Sequence, residues 1–326
     1  MNRHIYARLF SVWIMLAALA ILAAGCAGPD TPDAAATGAA PASLPTLTPA
    51  ALAAGEKLRV VATTNIVGDV VRQVGGDAID LTLLLPPATD PHSYQARPDD
   101  LRQLNAADVV FINGLHLEEA MAPVLENLDS GAPVIAVNTG VATLELGPAP
   151  AGADPHTWMD VRNVQQWVET IAAVLAALDP AHADEFAANA VAYQTQLAAL
   201  HEEITATAAA IPAARRKFVT DHDNLRYLAR AYGFTIAGAV IPSLSTLAAP
   251  SAQELAALQQ QVVQEGVTAI LVGTTVNPDV AQQIAADTGA VVTPIYTDSL
   301  SDASGPAATY LAMMRYNLAQ IAAALK

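Results

Sequence analysis

One unbroken apolar stripe in the middle of the chain most constrains its fold. Phe186, Ala190, Tyr193, Leu197, Leu200, Ile204 and Ile211 recur at steps of three, four or seven, which places them along one face of a helix. Asp179 suits the N-cap, Pro180 suits the first helical position, and Pro212 ends the pattern. Neither Gly nor Pro interrupts it, even near Gln194 to Gln196, where two shorter helices would have to break. At 1.5 Å per residue the helix is about 45 Å long. Segment 179–212 is therefore expected to be a linking helix, a rigid spine packed against whatever folds on either side of it.

Both flanks carry the same plan. Before the spine, 59–63, 81–85, 108–113 and 134–137 are short β-rich apolar runs, with helical patterns such as 66–74 and 120–128 between them. After it, 217–220, 235–240, 268–273 and 291–295 read as strands, 223–232, 251–264 and 278–288 as helices, and 307–325 as a final helix. Alternating β and α elements imply a parallel sheet covered by helices. The fold class expected is α/β: a lobe at 57–178 and a lobe at 213–326, each with a parallel sheet, joined by one long backbone helix. A chain of 326 residues is long enough for two such cores.

The N-terminus reads as an address. Arg3 and Arg8 precede an apolar stretch from Val12 to Ala24, too short to span a membrane comfortably. Ala23-Ala24-Gly25-Cys26 resembles a bacterial lipobox, with Ala23 where Leu is usual. Residues 1–25 are thus expected to be a lipoprotein signal peptide and Cys26 the lipidated residue. Cys26 is also the single cysteine, so neither an internal disulfide nor a thiolate cluster is available. Residues 26–56, rich in Ala, Pro and Thr, read as a flexible tether. The expected location is extracytoplasmic, anchored to a membrane. The formal net charge of −16 repels phosphate backbones and sets nucleic acid aside as a partner.

Chemistry concentrates in the histidines. His4 lies in the signal; His182 and His201 lie on the spine and are expected to face water. His92, His156 and His222 share a setting. Two follow Asp-Pro, in Asp90-Pro91-His92 and Asp154-Pro155-His156, and the third lies in Thr220-Asp221-His222-Asp223. At least two sit near the C-terminal ends of predicted parallel strands, the edge where open α/β sheets bind ligands. Neutral imidazole is a zinc ligand, and Asp90, Asp154, Asp221 or Asp223 could orient its second nitrogen. Asp298, just past the last strand, is the best-placed carboxylate for a fourth ligand. His116, also in a loop after a strand, is read as a packing residue.

The segments Val61–Asp69, Asp90–Tyr94, Asn113–Glu118, Asp154–Asp160, Thr220–Asp223, Tyr296–Ser301 and Tyr310–Asn317 together resemble the cluster A-I solute-binding proteins, the zinc and manganese receptors of bacterial ABC importers. The resemblance runs from about Leu58 to Leu325. It implies two α/β lobes with metal held in the cleft between them, a monomer, an ABC permease as partner and no enzymatic activity. It also implies His92, His156, His222 and Asp298 as the metal ligands. The third of these positions is His in many zinc binders and Glu in typical manganese binders, so His222 implies Zn²⁺, with Mn²⁺ as the alternative cargo. Two departures stand out. The interval 140–153 is rich in Gly, Ala and Pro instead of His, and Gly273 stands where relatives often place Glu, without expected effect on the ligands. Two other classes compete. A zinc hydrolase would keep one coordination position open for water. An adhesin or organic-solute receptor would use an aromatic-lined cleft.

Overall fold

All eight β-rich runs are strands in the computed structural model, which describes residues 43–145 and 152–326. In the first lobe these are β1 (Leu58–Ala62), β2 (Ile79–Leu83), β3 (Val109–Ile112) and β4 (Val134–Ala136), hydrogen-bonded in the order β2-β1-β3-β4. Every pairing is parallel, with Val60 beside both Leu81 and Val109. In the second lobe β5 (Lys217–His222), β6 (Thr235–Ile241), β7 (Ala269–Gly273) and β8 (Val291–Ile295) repeat the topology as β6-β5-β7-β8, again parallel.

Helices α1 (Asn65–Gly75), α2 (Pro98–Ala106), α3 (Ala122–Leu125) and α4 (Val161–Leu178) belong to the first half. Thr64 caps α1 by accepting from Val67 N, and Val67, Val70, Val71 and Val74 line its buried face. The expected helix at 120–128 is shorter: a 3₁₀ turn at Glu119–Met121 followed by the single turn α3. Two helices had gone unread, α2 and α4, although Pro98 at its first position and Asp160 as an N-cap mark their starts.

The spine is helix α5 (Ala183–Ala210), 28 residues and about 42 Å long. Its buried residues are Phe186, Ala190, Tyr193, Leu197, Leu200, Ile204 and Ala208. The start differs from expectation. Pro180–His182 form a 3₁₀ turn, and the Asp179 carboxylate accepts from the His182 ring (2.6 Å) instead of capping the backbone. His201 packs on Tyr232, with Nδ1 3.2 Å from the phenol oxygen. Both histidines are half-buried, not fully in water.

The second half adds α6 (Arg226–Tyr232), α7 (Ala252–Glu265), α8 (Asp279–Thr288) and α9 (Tyr310–Ala324). Helix α5 touches α1 and α4 from one half and α6 and α9 from the other. One hydrophobic core therefore runs through both lobes, from Val60 and Phe111 across Tyr193 and Leu197 to Phe218, Leu271 and Met313. Among the described residues, separate local cores lie around Leu104 and Val110 in one lobe and around Ile270 and Ile284 in the other. A shared core of this kind resists hinge bending, because opening the lobes would expose it.

The signal, Cys26 and most of the tether lie outside the described residues. Within the stretch read as tether, Leu44, Leu47, Ala50 and Leu52 pack partly buried against the core, and Ala50 N donates to Leu178 O (2.8 Å). Among the described residues, no helix is long and apolar enough to cross a membrane.

Candidate metal centre

The two Asp-Pro-His segments fold alike because their sequences are alike. In each, the Asp carboxylate accepts from the backbone N–H of the His two residues on, an Asx turn stiffened by the intervening Pro. Asp90 Oδ1 accepts from His92 N (3.0 Å), and Asp154 Oδ1 accepts from His156 N (3.0 Å). His92 rides the loop after β2; His156 leads through a 3₁₀ turn at Thr157–Met159 into α4. His222 is the last residue of β5 itself, and Asp298 follows β8.

These four side chains converge from both lobes, at the C-terminal ends of both sheets. One potential ligand atom from each lies within 4.8 Å of all the others. His92 Nε2 and His156 Nε2 are 3.3 Å apart. Asp298 Oδ1 is 3.8 Å from His156 Nε2, and Asp298 Oδ2 is 3.9 Å from His222 Nε2. Zinc bonds of about 2.0–2.1 Å put tetrahedral donors roughly 3.3 Å from one another, so the cluster needs little contraction to fit an ion. Each of the four residues is at most 2% exposed. Two of the converging atoms, His222 Nε2 and Asp298 Oδ1, have no hydrogen-bond partner. Buried polar atoms left unpaired cost about 1–3 kcal/mol each, and a bound cation would satisfy both.

Carboxylates fix two of the three rings. His156 Nδ1 lies 2.9 Å from Asp154 Oδ1, and His222 Nδ1 lies 2.9 Å from Asp221 Oδ1. Each contact puts the Nδ1 proton on the carboxylate side and turns Nε2 to the centre. Asp90 and Asp223, the other candidates for this task, do not perform it: Asp90 binds backbone, and Asp223 forms no bond to a ring. Asp298 is steadied through its neighbour. Thr297 Oγ1 donates to Asp298 Oδ2 (2.8 Å), while the Trp158 indole donates to Thr297 O (2.8 Å).

Gly273 proves more than neutral. Its N–H donates to Asp221 Oδ2 (2.6 Å), and a Cβ there would fall on the Thr297 hydroxyl and 3.0 Å from Asp221 Oδ2. A side chain at 273 would thus push on the groups that hold His222 and Asp298. Sequence reasoning also gave no role to Glu118, which is buried. It accepts from Thr63 Oγ1 (2.6 Å), Asn113 N (2.7 Å) and Gly114 N (3.1 Å), shaping the loop that carries His116. His116 itself is exposed, at φ 63°, and stands outside the cluster.

The charges are unevenly tuned. Burial pulls His92 down to about 3, helped by His156 and His222. Burial and the neighbouring His222 also hold His156 well below the usual imidazole value. Burial opposes protonation of His222 too, but the Asp221 and Asp298 carboxylates outweigh it and raise the ring to about 9. Burial lifts Asp298 to about 6, against the pull of His222. At neutral pH the centre therefore holds two neutral imidazoles, one imidazolium and a carboxylate.

The family described as zinc-uptake complex component A, periplasmic, matches residues 60–324. The chain belongs to that family. The manganese-binding lipoprotein MntA of Halalkalibacterium halodurans is 32% identical over 310 residues, covering 95% of each chain. The zinc-binding protein TroA of Treponema pallidum is 32% identical over 280 residues, 84% of this chain and 90% of TroA. The solved TroA structure superposes with a TM-score of 0.78, over 83% of this chain and 99% of TroA. A manganese-bound periplasmic metal-binding protein from Candidatus Liberibacter asiaticus superposes with a TM-score of 0.76 at 29% identity, over 83% of this chain and all of that one. Solved proteins titled for zinc and for manganese binding thus share the fold seen here.

Proposed function

We propose that this protein is the substrate-binding component of an ABC-type metal importer, capturing Zn²⁺ between its lobes and passing it to a membrane permease. The observation that carries this reading is the buried convergence of His92, His156, His222 and Asp298. These four would be the ligands, His92 and His156 from the first lobe and His222 and Asp298 from the second. Three imidazoles and one carboxylate suit tetrahedral zinc better than manganese, which prefers more oxygen donors. Mn²⁺ is the second reading, favoured by the manganese-binding names of several relatives. Four protein donors fill a zinc ion's usual coordination and leave no position for an activated water, so the protein acts as a receptor and not an enzyme.

Residues 1–25 are assigned as the signal peptide, Cys26 as the lipidated anchor and 27–56 as the link to the first lobe (57–178), with 179–212 joining it to the second (213–326). The lipoprotein names of relatives support this extracytoplasmic, membrane-anchored placement.

Native mass spectrometry with elemental analysis tests the reading. The full chain in detergent is stripped of metal and offered equimolar Zn²⁺ and Mn²⁺. One tightly held zinc per chain, lost in His156→Ala and His222→Ala but kept in His116→Ala, supports it. Retention of manganese instead would change the cargo. Uptake of neither ion, or equal losses in all three variants, would overturn it.

A further inference from the structure

The lobes are fastened by two unequal sets of hydrogen bonds. The first set is buried. Asn65 Nδ2 donates to Ser299 Oγ (2.8 Å), Leu300 N donates to Asn65 Oδ1 (2.8 Å), and Tyr310 N donates to Asp69 Oδ2 (2.8 Å). Trp158 Nε1 donates to Thr297 O (2.8 Å), Tyr310 OH to Trp158 O (2.7 Å), and Tyr227 OH to Asp154 O (2.9 Å). These bonds adjoin His156 and Asp298 and lie beside the shared core. The second set reaches water; Arg226 Nη2 donates to Glu145 O (3.4 Å), and the rest comes from one irregular loop, 242–250. Thr246 Oγ1 donates to Asp90 Oδ2 (2.6 Å) across a partly buried gap, and Ser245 Oγ donates to Glu119 Oε1 (3.2 Å) at the surface.

The loop also lines two cavities beside the centre. A cavity of about 540 Å³ is lined by Thr246 and Leu247 from the loop together with Asp90 and Asp221. A second, of about 240 Å³, is lined by Leu244 and Ser245 together with His92 and His116.

His92 is the ligand candidate tied most weakly. His156 and His222 each have a carboxylate on Nδ1, whereas His92 Nδ1 is buried without a partner. Its loop meets the second lobe at two points: Ala88 N donates to Ser299 Oγ (2.9 Å), and Asp90, which holds the His92 N–H with one oxygen, accepts from Thr246 with the other. The same oxygen that meets Thr246 also accepts from Ser93 Oγ (2.9 Å).

We propose that Thr246 is a positioning residue that latches the His92 loop to the second lobe and sets how long a captured ion is held. The ion departs when the Thr246–Asp90 bond opens and His92 swings away. His156 and Asp298 stay fixed by the buried set, and His222 by Asp221. This inference rests on the metal-receptor reading and adds the residue that governs release.

Thr246→Val removes the donor and keeps the shape; Thr246→Ser keeps the donor. The full chain in detergent is loaded with Zn²⁺, and the ion is then drawn into excess chelator in a stopped-flow instrument. A lost hydrogen bond to a carboxylate should raise the dissociation rate of T246V about tenfold or more. The association rate and the metal-free melting temperature should stay near wild type, and T246S should release zinc at the wild-type rate. Wild-type protein that takes up neither zinc nor manganese would overturn the metal reading and the latch with it. Wild-type protein that binds zinc while T246V releases it no faster, or T246S releases it as fast as T246V, would overturn the latch alone.

Discussion

Binding a divalent ion at this centre should expel about one proton at neutral pH, and that proton should come from His222. In the metal-free protein the ring is held at about 9 because Asp221 and Asp298 outweigh the burial that opposes its charge. A metal needs the Nε2 lone pair, so ion and proton compete for the same atom. Because the ring carries a proton below about pH 9, apparent metal affinity rises with pH up to that point and levels off above it. The slope is roughly tenfold per pH unit, or about 1.36 kcal/mol each, which makes binding about 100-fold weaker at pH 6 than at pH 8. Near pH 6 the profile should steepen, since Asp298, raised to about 6 by burial, then also gains a proton. His92 and His156 add nothing over this range, because both stay neutral. Calorimetric titration in two buffers of different ionisation enthalpy counts the protons released, and chelator competition gives the affinity at each pH. His222→Ala should bind more weakly and with a flatter pH profile. A wild-type affinity that is constant from pH 6.5 to 8.5, with no proton released, would refute the reasoning and place a neutral ring at 222 in the metal-free state.

Three further outcomes follow from the same geometry. Asp154→Asn and Asp221→Asn should each weaken zinc binding by about 10–100-fold; chelator competition checks this, and unchanged affinity would mean that packing alone orients the rings. Trp158→Phe strands the buried Thr297 carbonyl, which should cost about 1–3 kcal/mol and lower the melting temperature by several degrees in calorimetry; an unshifted transition would count against that bond as a fastener of the lobes. Small-angle scattering should find nearly the same radius of gyration with and without zinc, since the shared core resists opening; a large contraction would contradict it.

Much of the site was legible because its elements are local. The stripe from Phe186 to Ile211 identifies a helix with one buried face, and that face is buried in the structure. The repeated Asp-Pro-His triplet encodes a turn in five or six atoms of chain, so its form does not depend on distant partners. Helices α2 and α4 were missed although their starting signals were present. The expected helix at 120–128 starts late because Pro123, with no N–H, fits only the first turn of a helix; α3 begins at Ala122.

What the sequence by itself determined was the kind of protein: two α/β halves, a continuous spine, and four candidate metal-binding side chains spread over more than half the chain. These properties follow from periodicity and from turn chemistry, both of which act over a few residues. Only the tertiary structure decided how the four are served. Asp154 and Asp221, not Asp90 and Asp223, meet the rings. Gly273 leaves space beside Thr297, Trp158 fastens the Asp298 segment, and Thr246 reaches Asp90 from 156 residues away. Such contacts depend on the placement of one lobe against the other, which is fixed by the shared core around α5 and has no signature in the neighbouring residues of the chain.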